Sequence, residues 1–341
     1  MRVEAPRKRD DQGSGCRAPA RRVTQRPEGV ERSAGRAPRE VGQRYLGRLA
    51  STDLAIVLVS ALLHAGWSVA IKGSGDPLAF NVLQWLAFSL ALVGLAPWID
   101  LHALPGEVWW LLAGASVAHG IYFYWLSRAF EEGDLSLVYP IVRSTPALLP
   151  LFAIPLLGEL PSEGGLIGVA GVVAGIWLVQ GSGRLHARDF AATGLRFAYL
   201  TLAATVAYSL IDKQAMTLMA DRAPVGPLPW AFVYMLLLSG LSGGVLLPLA
   251  LRTRGLRDLL RAGSGLFGRA ALAAGVSGLS YGLCLMAFET SDASYVVAVR
   301  QTSVLFAAIL AVPLLGERIG LRRALGALST VIGVAIIALW G

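Results

Sequence analysis

Residues 155–159 read PLLGE, and residues 313–317, 158 positions further on, read PLLGE again. Each copy closes one apolar stretch and opens the next. The match extends upstream, where Ala129, Phe130, Glu131 and Asp134 fall on Ala287, Phe288, Glu289 and Asp292, and downstream, where Gly168 falls on Gly326. With a one-residue slip, VRST (142–145) lies over VRQT (299–302). Earlier still, AGWSVAIK (65–72) lies over VAYSLIDK (206–213), sharing Ser68 with Ser209 and Lys72 with Lys213. Self-similarity on this scale makes the chain two copies of one unit.

Apolar blocks of roughly the 20 residues that span a bilayer occur at about 53–72, 77–98, 107–130, 135–157, 163–180, 194–217, 228–250, 268–288, 293–315 and 320–340. They are continuously apolar, which suits helices; barrel strands alternate. The expected fold is therefore all-α integral membrane, with ten transmembrane helices as an inverted five-plus-five repeat. Five is odd, so the second unit enters the membrane from the opposite face, the architecture of many secondary transporters. Three regions are expected: a disordered basic tail (1–50), a first repeat (51–181) and a second repeat (194–340).

The composition agrees. The chain is 55% hydrophobic and 15% charged, with mean hydropathy +0.59, against about 25% charged in soluble domains. Its net charge of +8 comes mainly from the tail, where residues 1–50 hold 13 Lys+Arg and 6 Asp+Glu; the remainder holds 17 and 16. Rich in Arg, Pro, Gly and Ser, the tail is too polar to fold, and reads as a surface-binding arm, a solvated extension or sequence upstream of the true start. With a near-neutral body, nucleic-acid binding loses its support. Two cysteines and four scattered histidines give neither a disulfide framework nor a metal site, and no cofactor is expected.

The doubled block, with PLLGE, a short turn and the Gly-rich stretches GLIGVAGVVAGIWLV and LRRALGALSTVIGVAIIAL, resembles the EamA-type transporters of the drug/metabolite transporter superfamily. His64, Ala65, Trp67 and Lys72 also resemble a subgroup that opens with His-Ala-x-Trp-Asn followed by Lys, with Ser68 at the Asn position. The resemblance covers about 53–340. It implies a central cavity and proton-coupled or facilitated movement of small metabolites; the expected function is export or exchange of a small polar metabolite or drug-like solute through the inner (plasma) membrane by alternating access, with a small molecule and the lipid bilayer as partners and no enzymatic activity.

Charge inside the bilayer costs about 2.5–3.5 kcal/mol or more, so it marks the candidates. Arg143 and Arg300, at equivalent positions of the fourth and ninth blocks, are placed to hold an anion or zwitterion between two guanidiniums; snorkelling or pairing with Asp134 or Asp292 is the bland alternative. Trp67, Tyr122 and Tyr281 are candidates to stack a ring or a cation, or simply to pack. His64, His119, Lys72 and Lys213, with Asp212 as counter-ion to Lys213, are the candidates for proton exchange; interfacial lysines and a packing histidine are the competing readings. The glycines 164, 168, 171 and 175 at small-xxx-small spacing fit internal packing or a homodimer face.

One competing function is written in the chain. Gly275-Val276-Ser277-Gly278 resembles the rhomboid intramembrane protease motif, and Gly278 to Gly282 matches the nucleophile-elbow pattern. An intramembrane serine protease using Ser277 is thus the alternative, although all four histidines precede that serine and the elbow requires a strand-to-helix turn. Orientation stays open: loops and helix ends after odd-numbered blocks hold 13 basic residues against two after even-numbered ones, which places the odd face in the cytoplasm, whereas the basic tail and the resemblance argue the reverse.

Overall fold

The computed structural model describes residues 49, 51–180, 193–222, 228–263, 265–315 and 320–341, so all of the basic tail but Leu49 lies outside the described residues, as does the side chain of Lys72. The described residues form helices α1 (Ser51–Lys72), α2 (Pro77–Leu95), α3 (Gly106–Glu132), α4 (Leu135–Arg143), α5 (Thr145–Leu157), α6 (Glu163–Gln180), α7 (Arg196–Met219), α8 (Trp230–Arg254), α9 (Leu256–Gly263), α10 (Phe267–Thr290), α11 (Ala293–Arg300), α12 (Ser303–Leu315) and α13 (Leu321–Trp340). No strand occurs among them.

Among the described residues, seven spans are long and apolar enough alone to cross a bilayer. Three more complete a set consistent with ten. Trp109, Trp110, His119, Tyr122 and Tyr124 dilute the apolar content of α3, Asp212 and Lys213 that of α7, and α11 and α12 are two short pieces. The short amphipathic α9 buries Leu259 against Leu78, Ala79, Leu246 and Ala250 while exposing Leu256 and Leu260, the pattern of a helix lying at the interface.

The two repeats interlock symmetrically. In the first unit α1 packs on α10 and α12 of the second; the counterpart α7 packs on α3 and α5 of the first. The pairs α2–α8 and α6–α13 each join equivalent helices. At the last of these the glycine stripe is fully used: a Cβ on Gly168 would meet Gly333 O at 2.7 Å, and one on Gly175 would meet Thr330 Oγ1 at 2.1 Å and Gly326 O at 2.6 Å. These glycines permit contact within the chain between backbones that no larger residue would allow.

The fourth and ninth spans are broken at their centres. At α4–α5 the prolines 140, 146, 150 and 155 remove backbone donors. The chain turns at Ser144, whose amide bonds to Ile141 O and whose hydroxyl bonds to Pro140 O, while Trp177 of α6 donates to that hydroxyl at 2.9 Å. At the α11–α12 junction, where VRQTS (299–303) has no proline, the break is made of i to i+3 bonds from the amides of Gln301, Thr302 and Val304. The first half-helix of each pair, α4 and α11, ends in an arginine, where the negative end of the helix dipole favours a cation.

The two faces differ. The even face bears the loops after even-numbered spans. There the Glu159 carboxylate accepts from the amides of Ala293 (2.5 Å) and Ser294 (3.2 Å) and the Ser294 hydroxyl, capping α11. Asp53 accepts from the hydroxyls of Thr290 and Ser291, and Lys213 Nζ donates to Phe288 O (2.7 Å) and Ser291 O (3.0 Å). Asp53, Glu159 and Lys213 are all buried. This polar seal ties α1, α5 and α7 to the α10–α11 turn. On the odd face, Arg254 bonds to Asp76 and Glu131, Arg128 to Glu131 and Glu132, and Arg196 to Glu132, all partly solvent-exposed.

Candidate functional site

Between the half-helices lies a cavity with about 990 Å³ of space free of protein atoms, solvent at its mouth included. Its wall reaches Ile71, Phe130 and Tyr139, near the odd-face ends of α1, α3 and α4, and at its other end stops at Met235, Tyr281 and Gln301, below the even-face seal. The cavity therefore leans toward the odd face.

Arg143 and Arg300 meet in it on one imidazole. Arg143 Nη1 lies 2.9 Å from His64 Nε2, and Arg300 Nη2 lies 3.2 Å from His64 Nδ1. A neutral imidazole has one accepting nitrogen and one N–H, so it can accept from only one of these guanidiniums. The other N–H faces N–H. Arg143 also donates to Ser68 (3.1 Å) and Ser303 (3.4 Å), whereas Arg300 Nε is buried with no hydrogen-bond partner among the described residues. Among the described residues no ion pair joins an Asp or Glu to either arginine, and the cavity wall contains neither acid. The pairing with Asp134 or Asp292 weighed from sequence is not among the described ion pairs.

The aromatic candidates gather around this pair. Trp67 stacks on His64 with centroids 5.0 Å apart and donates to Gln84 Oε1 at 2.8 Å, which Asn81 and Ser127 extend as a buried chain. Arg300 lies 5.2 Å from the centroid of the Tyr281 ring, and Tyr122 packs edge-on to Tyr208. Trp67, Tyr122 and Tyr281 thus all line the cavity.

His119 lines it too, stacked on Tyr208 at 3.9 Å, with Nε2 3.2 Å from Asp212 Oδ2. Asp212 is not turned to Lys213. Neighbours on a helix point about 100° apart, so Lys213 reaches the carbonyls of the seal and stays away from the cavity, while Asp212 faces His119. Ser277 is on the wall, but its hydroxyl donates to Ala274 O at 3.1 Å of its own helix, and no described contact joins it to a histidine. The elbow-like Ser280 is buried mid-helix and exchanges hydrogen bonds with Ser60.

A model of the EamA-like transporter family matches residues 52–181 and, a second time, residues 194–339. The chain belongs to that family. It is accordingly a multi-pass membrane protein of a transporter family. A solved structure described only as "Crystal structure of protein" is 16% identical, covers 85% of this chain and 97% of its own, and superposes with a TM-score of 0.65. That likeness concerns the EamA-like fold alone. No curated protein matches the sequence.

From sequence the prolines 140, 146, 150 and 155 are expected to bend the fourth span, as a hinge or a static kink, and the direction of Gln84 stays open; sequence reasoning missed the break of the ninth span, Tyr208, Tyr234 and the capping role of Glu159. A signal for the breaks was present: Ser144-Thr145 and Gln301-Thr302-Ser303 are polar runs inside apolar blocks. Glu159 stands in the repeated PLLGE itself.

Proposed function

We propose that this protein is an inner-membrane secondary transporter that carries a small anion by exposing the Arg143–Arg300 cavity to each face in turn, as an exporter or exchanger. One observation carries the reading: two guanidiniums converge on a single imidazole with no acid in the cavity wall. Burying a charge is tolerable only when it is paired, and a carboxylate, sulfonate or phosphate between the two forks supplies the missing partner. A zwitterion would find only ring faces for its ammonium. The even-face seal beside a cavity that leans to the odd face supports one stage of an alternating cycle. The placement of Ser277 supports a transporter without a hydrolytic activity.

The test is a proteoliposome uptake screen across anionic, zwitterionic and cationic metabolites, repeated with Arg143→Gln/Arg300→Gln. Anions are transported and the double variant loses at least about tenfold, since a charge-assisted hydrogen bond contributes about 1.5–3 kcal/mol. Transport unchanged in the double variant removes the site.

A further inference from the structure

Asp212 has no part in holding an anion, yet three side chains bond to it in the membrane interior. It is fully buried on α7, behind the cavity wall, and accepts from Tyr281 (2.5 Å), from Tyr234 (2.8 Å) and, through Oδ2, meets His119 Nε2 at 3.2 Å. Two of these partners are neutral phenols. Among the described residues, the only side chain bonded to Asp212 that can bring it a positive charge is His119, by taking up a proton. Lys213 spends its ammonium on Phe288 O and Ser291 O.

The pair touches the cavity at two points. His119 lines it, so its imidazole can exchange protons with water there. Tyr281 lines it as well, donating its hydroxyl to Asp212 while its ring carries Arg300 on its face, 5.2 Å from the guanidinium carbon. His119 is midway along α3, whereas Asp212 and Tyr234 lie toward the even-face ends of α7 and α8. The chain His119, Asp212, Tyr234 thus leads from the cavity toward the sealed face.

We propose that Asp212 and His119 form a proton-binding site whose occupancy is positively coupled to anion occupancy of the Arg143–Arg300 cavity, so that anion and proton move together. This rests on the reading of the cavity as an anion site. The sign follows from every charged or titratable group around the pair: Arg143 (α4), Arg300 (α11), His64 (α1), Tyr122 (α3), Tyr208 (α7), Tyr234 (α8), and Tyr281 with Cys284 (α10). With His119 neutral the pair carries one negative charge, which repels an anion beside Arg300; with the imidazole protonated the pair is neutral. In the other direction, the two arginines oppose a proton on His119, and a bound anion offsets them. Both effects act the same way, as linkage requires. Coupling of this sign suits exchange, in which an anion and its proton leave as another such pair enters, better than export against an inward proton gradient.

The test uses the full chain in detergent under weak buffering, with Trp67 fluorescence reporting occupancy and a pH-indicating dye reporting proton uptake; Trp67→Phe identifies the signal. Benzoate, sulfate and methanesulfonate serve as probes because their charge is constant near neutral pH. Expected for the wild type is binding about tenfold tighter at about pH 6 than at about pH 8, with protons taken up as the probe binds. His119→Gln, which keeps a donor for Asp212, binds with one affinity at both pH values and takes up no proton. Asp212→Asn does the same, and should it fail to fold, the His119 variant decides. Proton release on binding, equal wild-type affinity at both pH values, or unchanged pH dependence in His119→Gln overturns the proposal. If a probe binds the wild type but not Arg143→Gln/Arg300→Gln, the anion site stands and the pH arm alone is decisive. If no probe binds, the anion reading fails and takes this inference with it.

Discussion

At the scale of single residues, the doubled motif acquires a chemical meaning. The Glu of the first PLLGE is a cap: Glu159, wholly buried, accepts the two first free amides of α11 and the Ser294 hydroxyl. A carboxylate at a helix N-terminus is favoured by the dipole and by unsatisfied donors. Glu159→Gln keeps the shape and removes the charge, so it should cost about 1–2 kcal/mol and lower the melting temperature in detergent by a few degrees, with Glu159→Asp restoring part of the loss. Arg143 makes a different demand. Its fork reaches His64 with one nitrogen and Ser68 with the other, a fixed pair of separated donors that the single nitrogen of an ammonium does not reproduce. Arg143→Lys is expected to weaken anion binding about tenfold, read from Trp67 quenching; unchanged affinity would mean that position 143 acts only as a point charge. The matched arginines were legible because charge in an apolar block is conspicuous. Their shared imidazole was not, since His64 is 79 positions from Arg143 and 236 from Arg300, and nothing local records such a meeting. The same holds for His119 and Asp212, 93 positions apart.

Among the elements, periodicity revealed where helices are and concealed where they stop. A broken span looks like a continuous one when both pieces are apolar, and α11–α12 breaks without a proline. The glycine stripe of α6 was legible as close packing, and its partner was legible only through the repeat, which sets Gly168 over Gly326 and Gly175 over Gly333. Gly175→Val should force α6 and α13 apart, because even a Cβ there lies 2.1 Å from Thr330 Oγ1; a loss of about 1–3 kcal/mol, the usual cost of overpacking, would appear as a lowered melting temperature. Gly244→Ala, where a Cβ meets nothing within 4 Å, is the matched control and should melt with the wild type.

For the whole molecule, the inverted arrangement follows from counting alone, since an odd number of spans per repeat reverses the second copy. Orientation is a separate property, set by charge outside the membrane. With residues 1–40 removed, only Arg44 and Arg48 remain of the basic tail, and the 13 basic residues on the odd face should dominate. A reporter that fluoresces only in cytosol, fused after Gly341, is then expected to stay dark; a bright C-terminus would show that the loop charges do not set the topology. The two guanidiniums that share His64 bear on the kinetics of the whole cycle. Reorienting the empty carrier means closing the protein around two cations that repel one another, whereas a bound anion screens them. The loaded carrier should therefore cross its barrier faster than the empty one, and unlabelled anion on the far side of a vesicle should accelerate efflux of labelled anion by about an order of magnitude. Equal efflux with and without that counterflow would mean that the empty carrier returns unhindered.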